Sequence, residues 1–258
     1  MAIMALAIAI ALPGAYQAQA ETPSSARAEA ILRKIDDMWR GISSHAKLAM
    51  SVKTANYTRS IKLEAWSLGK EKTLVRIISP LKEKGTATLK SGDTIYTYLP
   101  KTDRTIRLTA GMMMGSWMGS HFTNDDLVKE SRLTDDYFVE ITFDGERDGK
   151  KMMDFDLTPK PEAAVVWGKI QMEVWVSGED YIPVHEVYFD EDLKPARVMT
   201  FHNVRLFGGR RIPAVLKAVP SNLPGEFTEL TYEAMEFDIP LADSLFSLSE
   251  LRRAAGAP

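Results

Sequence analysis

Between Ala46 and Phe237 the chain alternates apolar and polar side chains in one run after another, and a period of two admits few folds. In a β-strand successive side chains point to opposite faces, so each such run offers one face to a core and the other to water. Ala46, Leu48, Met50 and Val52 form one run, and Ile61, Leu63 and Ala65 the next. Further runs cover residues 74–78, 86–89, 95–99, 105–108, 138–143, 153–157, 170–176, 184–189, 196–207, 211–219 and 227–237. Turn chemistry separates them, as at Gly69-Lys70, Ser91-Gly92-Asp93, Asp144-Gly145 and Ser177-Gly178. This predicts about ten strands, mostly longer than usual, meandering through a sandwich or barrel. Leu48, Met50, Ile170, Met172 and Val174 are expected on the concave side of one curved sheet. No linker or change of composition divides the chain, and 258 residues suit a single all-β domain.

The N-terminal region has a different character. Residues 1–12 carry no polar side chain, Pro13-Gly14 ends the run, and Ala18-Gln19-Ala20 precedes the first acidic residue, Glu21. An apolar run followed by a small-x-small site is the pattern of a secretory signal peptide, and the run is shorter than the roughly 20 residues that span a bilayer. The expected division is a signal peptide over 1–20, cleaved before Glu21, and one β domain over 21–258, released into the periplasm. From Ser25 the sequence SARAEAILRKIDDMWRG places Ile31, Ile35, Met38 and Trp39 on one face of a helix, with Ser24 or Ser25 to cap it and Gly41 to end it.

One stretch breaks the alternation. Residues 111–132 read GMMMGSWMGSHFTNDDLVKESR. Glycine weakens a strand, so no regular strand is expected here. Thr123 and Asp126 have the spacing of a capping box, which predicts a short helix after an apolar loop. Methionine adapts to irregular apolar partners, and the flanking Gly111, Gly115 and Gly119 free the backbone. Met112, Met113, Met114, Trp117, Met118, Phe122 and Leu127, with the strand residue Trp66, are therefore the candidate residues for a lid and for contact with a lipid. Plain core filling by the same residues is the competing expectation.

Little in the chain asks for an enzyme or a cofactor. His45, His121, His185 and His202 are scattered, no H-E-x-x-H or G-x-S-x-G is present, and no glycine-rich phosphate motif occurs. With no cysteine, thiolate metal sites, thiol catalysis and disulfides are excluded. A Cu(I) site from His121 and the nearby methionines is chemically reasonable, but three consecutive methionines cannot all face one ion. Asp125-Asp126 and Asp135-Asp136 are adjacent pairs, suited to capping and solvation more than to paired acid–base work. A net charge of −3 without a basic block argues against nucleic acid as a partner.

Three segments resemble a known family. Residues 74–108 read LVRIISPLKEKGTATLKSGDTIYTYLPKTDRTIRL, residues 115–128 read GSWMGSHFTNDDLV, and residues 239–246 read IPLADSLF. Together they resemble the LolA-like branch of the outer membrane lipoprotein-sorting proteins, whose members commonly carry an acidic residue at the position of His121. The resemblance implies a mainly β fold: a single curved, unclosed antiparallel β-barrel with an N-terminal helix and a loop-helix lid over an apolar cavity. It also implies a periplasmic carrier, not an enzyme, with no cofactor and a monomeric state. Such a carrier would bind lipid or lipoprotein acyl chains for transfer toward the outer membrane, between an inner-membrane transporter and an outer-membrane acceptor. A non-transporting sensor or accessory domain of the same fold, associated with an inner-membrane exporter, is the alternative. The family's lid-holding arginine has no clear counterpart. Arg76 lies in the nearest strand, in a different local motif.

Overall fold

The period-two runs become the strands of one antiparallel sheet. A computed structural model describes residues 26–129 and 133–253. The expected signal peptide, its cleavage point before Glu21, and the capping serines Ser24 and Ser25 lie outside the described residues. The strands are β1 (Ser43–Lys53), β2 (Thr58–Leu68), β3 (Lys72–Ser79), β4 (Ala87–Ser91), β5 (Thr94–Leu99), β6 (Arg104–Arg107), β7 (Tyr137–Arg147), β8 (Lys150–Pro159), β9 (Lys169–Ser177), β10 (Asp180–Phe189), β11 (Pro195–Phe207), β12 (Arg210–Pro220) and β13 (Phe227–Phe237). Their order is β6-β5-β4-β3-β2-β1-β13-β12-β11-β10-β9-β8-β7, and β6 and β7 are the free edges, so the curved sheet does not close.

Thirteen strands stand where the sequence suggested about ten. Each apolar run forms one strand, the short ones included, so the estimate of about ten undercounts the runs themselves; in β4 four consecutive residues, Ala87 to Lys90, are buried. Elsewhere the pattern reads as expected. Leu48, Met50, Ile170, Met172 and Val174 are all buried, the first two in the core under β1–β3 and β11–β13, the others in the core under β7–β9.

Helix α1 (Ala26–Met38) lies over that second core, burying Ala28, Ile31, Leu32 and Ile35. Their helical spacing is the reason the segment folds this way: one apolar stripe, with Arg33, Lys34 and Asp37 turned to water. Gly41 terminates it in the left-handed region at φ 62°, its N–H bonded to the Asp37 carbonyl at 3.2 Å. On the opposite face of the sheet, Phe246 and Leu251 cover Leu74, Leu89 and Trp66, and Leu251 belongs to the C-terminal helix α4 (Leu248–Arg252). Among the described residues no helix is long and apolar enough to cross a membrane.

Candidate functional site: a cavity closed by a latched loop

Between α1 and the concave face of the sheet lies a cavity of about 200 Å³. Its walls are mostly apolar, with Leu48, Val75, Met172, Phe201 and Leu230 from the sheet and Trp39 from the residues after α1. Two side-chain atoms in this wall, Trp39 Nε1 and Thr73 Oγ1, are buried and make no hydrogen bond among the described residues. A buried donor left unpaired costs about 1–3 kcal/mol, so such atoms mark where the polar part of a ligand would be welcome.

The segment joining the two edge strands closes one side. It carries two short helices, α2 (Asn124–Lys129) and α3 (Leu133–Asp136). Before α2 the chain forms a small hairpin: Trp117 N–H bonds the Phe122 carbonyl at 2.8 Å, and Ser116 bridges to Thr123. Met118 is forced to φ 49°, a strained value for a long side chain, and Gly119 follows at φ 69°. A Cβ at Gly115 would stand 2.9 Å from the Met112 carbonyl oxygen, so glycine is needed there as well. The expected capping box is present. Asp126 N–H donates to Thr123 Oγ1 at 3.2 Å, and Thr123 N–H donates to Asp126 Oδ2 at 2.7 Å.

Asp126 has a second partner that the sequence reading did not single out. Arg197, on β11, donates through both terminal nitrogens to its carboxylate, at 2.5 and 2.9 Å. Nη1 also reaches the His121 carbonyl at 3.4 Å. The guanidinium lies over the rings of Tyr188 at 4.2 Å and Trp167 at 4.7 Å, and the residue is buried. Burial works against its charge, but Asp126, by charge and hydrogen bond, outweighs burial and holds the Arg197 pKa above its ordinary value. Arg197, not Arg76, therefore ties the loop to the barrel. Arg76 is on the other side of the sheet, where it donates to the Glu250 carbonyl and anchors α4.

A second tie involves His121. Its backbone N–H donates to Thr228 Oγ1 at 2.9 Å, and its ring nitrogens contact Thr228 Oγ1 at 2.9 Å and Glu226 at 3.1 Å. The Ala55 N–H and then His121 hold the Glu226 carboxyl below its ordinary pKa. Nearby, the Tyr188 hydroxyl donates to Glu186 at 2.5 Å, and burial, followed by the Glu186 charge, pushes that phenol well up.

The residues expected from sequence to form the lid divide into groups. Trp117 and Phe122 are buried in the cavity wall, and Trp117 Nε1 donates to Thr88 at 3.2 Å. Trp66 touches the cavity, but strand alternation turns its ring to the other face, where it stacks on His45 with ring centres 5.1 Å apart. Met118 packs against the main core, and Met113 against Ile95 and Leu108. Met112 and Met114 are exposed. Leu127 lies in α2, and its side chain is outside the described residues. Among the described residues no group of three or more His, Asp or Glu is arranged to hold a metal ion.

A mainly β, unclosed antiparallel barrel with an internal cavity and a loop-helix segment across its open side defines the LolA-like class of fold. Similar solved structures agree. A DUF1329 family protein from Desulfovibrio piger has a TM-score of 0.76 at 20% identity, covering 89% of this chain and 100% of its own. A putative outer membrane lipoprotein-sorting protein domain from Vibrio parahaemolyticus has 0.71 at 22%, covering 88% and 100%. A LolA superfamily protein from Nitrosomonas europaea has 0.71 at 20%, covering 86% and 98%. No curated protein matches the chain. A family model described as "Uncharacterized protein" matches residues 69–253, well over half of the chain. The chain belongs to this family, and its fold is LolA-like.

Proposed function

We propose that this protein is a periplasmic carrier that binds lipid, or the acyl chains of lipoproteins, in the cavity and hands them on toward the outer membrane. The apolar cavity behind the Arg197–Asp126 tie carries this reading. A free acyl chain in water is unfavourable by about 0.8 kcal/mol per methylene, so an apolar space in a soluble protein draws it in without any chemistry. At about 200 Å³ the cavity is smaller than the roughly 300–1,000 Å³ of typical ligand pockets. Loading a long chain therefore requires the walls to part. The loop is the natural moving piece, because polar ties, among them Asp126 to Arg197, His121 to Glu226 and Arg59 to the Met118 carbonyl, hold it to the barrel.

The partners of this reading are an inner-membrane transporter on the donor side and an outer-membrane acceptor, with the protein acting as a monomer and without a cofactor. The test is native mass spectrometry of delipidated protein mixed with lipid vesicles, followed by transfer to acceptor vesicles. Uptake followed by transfer supports the carrier. Uptake without transfer would make the protein a sensor or accessory domain, and a chemically altered lipid would make it an enzyme.

A further inference from the structure

The two halves of the sheet are joined at the β12–β13 boundary, and the join is narrow. Pairing there covers only Val215–Ala218 against Thr228–Thr231. On either side, β11–β12 pair from Arg197 to Phe207, and β1–β13 from Ser44 to Lys53. Pro213, just before the strip, has no N–H to give to a ladder. Beyond the strip, residues 210–213 pair with β11 and residues 232–237 with β1 but not with each other, which leaves a window in the barrel wall.

Side chains fill that window. Met235 lines both the inner cavity and an outer groove of about 420 Å³. Lys47, Arg205 and the exposed Leu206 line the same groove. At its far end Arg210 clasps Asp238 at 2.9 Å, stacks over Phe237, and reaches the Asp37 carbonyl at the end of α1 at 3.1 Å. Gly41 packs against this clasp so closely that a Cβ would stand 2.7 Å from Asp238 Oδ1. The clasp is an exposed ion pair, a kind that contributes little to stability, so it can open while the strip holds.

We propose that this window is a lateral portal: a phospholipid chain passes between β12 and β13 past Met235, and its phosphate head stays in the outer groove beside Lys47 and Arg205. The continuity of groove and cavity at Met235 argues for a chain, and the two cations argue for a phosphate. Glu233 and Glu236 share the groove; Glu233 pairs with Lys62 at 3.5 Å, and Glu236 lies 3.8 Å from the His45 ring. Because Arg210 also holds the end of α1, opening the clasp loosens the segment that carries Trp39.

The proposal rests on the lipid-binding reading and is tested separately from it. The chain has no cysteine, so Arg210→Cys with Asp238→Cys gives a unique pair that a short, reducible bis-thiol reagent can bridge after folding. Exchange of a pyrene-labelled phosphatidylethanolamine is then followed between vesicles and protein. Bridging should slow exchange at least tenfold, and reduction should restore it. Arg210→Ala alone should accelerate exchange with the fold intact by circular dichroism, and Lys47→Glu should weaken retention of the phospholipid more than of a diacylglycerol with the same chains. Equal exchange in the bridged and reduced forms would overturn the portal while leaving the carrier reading in place. No uptake by the unmodified protein would overturn both.

Discussion

Arg197 and Asp126 stand 71 residues apart in sequence and meet as a two-bond ion pair, with the arginine side chain only 4% exposed. One face of this carboxylate caps α2 and the other neutralises a cation in the wall of β11. Removing one partner leaves the other buried and unpaired, which costs about 3–5 kcal/mol. Asp126→Ala and Arg197→Met should each lower the unfolding free energy by about that amount in urea titrations. The double variant Asp126→Leu with Arg197→Met should lose much less than the sum. Additive losses would show that the two side chains do not act as a pair.

The methionines and the aromatics of the loop should separate cleanly. Trp117 is buried and Met114 is 59% exposed. Trp117→Ala should destabilise by about 3–5 kcal/mol. Met112→Ser and Met114→Ser should change stability by less than about 0.5 kcal/mol. The same two serine variants, assayed with a fluorescent long-chain fatty acid, test whether these methionines touch ligand. Weaker binding at unchanged melting temperature is the expected outcome for a lid surface.

Glu226 supplies a pH dependence with a definite sign. Its pKa in the folded protein is depressed by the Ala55 N–H and by His121. A depressed carboxyl contributes stability that is present above its unfolded pKa and lost as pH falls through the folded value. Glu226→Gln should therefore be less stable than the native protein at pH 7, and the gap should narrow as the pH drops below the ordinary carboxylate range. Denaturant titrations at pH 7, 5, 4 and 3 measure it, and a constant gap would mean that the charge is not involved.

Processing is a separate matter. Cleavage between Ala20 and Glu21 is expected from Ala18-Gln19-Ala20, and the intact mass of protein recovered from the periplasm checks it. A mass that retains residues 1–20 would remove the export step.

The parts of this fold that sequence reveals are the parts encoded by neighbours. Alternation at Leu48–Met50 or Ile170–Met172 depends only on residues two apart, and the Thr123–Asp126 cap on residues three apart, so both can be read directly. What joins Asp126 to Arg197 is the stacking of distant strands, which no local period records. One trace was present: Arg197 has the parity of Met199 and Phe201, a charge on the buried side of an alternating run. The lid residues show the limit from the other side. Composition marked the loop as apolar and adaptable, but the hairpin from Ser116 to Thr123 decides which side chains turn inward, and it selects Trp117 and Phe122.

Whether lipid occupies the cavity can be read from tryptophan fluorescence. The chain has five tryptophans, of which Trp39, Trp66, Trp117 and Trp167 border the cavity. Trp175 lies outside it, beneath Lys150 and Arg211. Variants that keep a single tryptophan, the others replaced by phenylalanine, are titrated with a bromine-labelled fatty acid, which quenches only on contact. Strong quenching of Trp117 with Trp175 unaffected is the expected result. Equal quenching of both, or none at Trp117 when the fatty acid is bound, would contradict a lipid-carrying cavity.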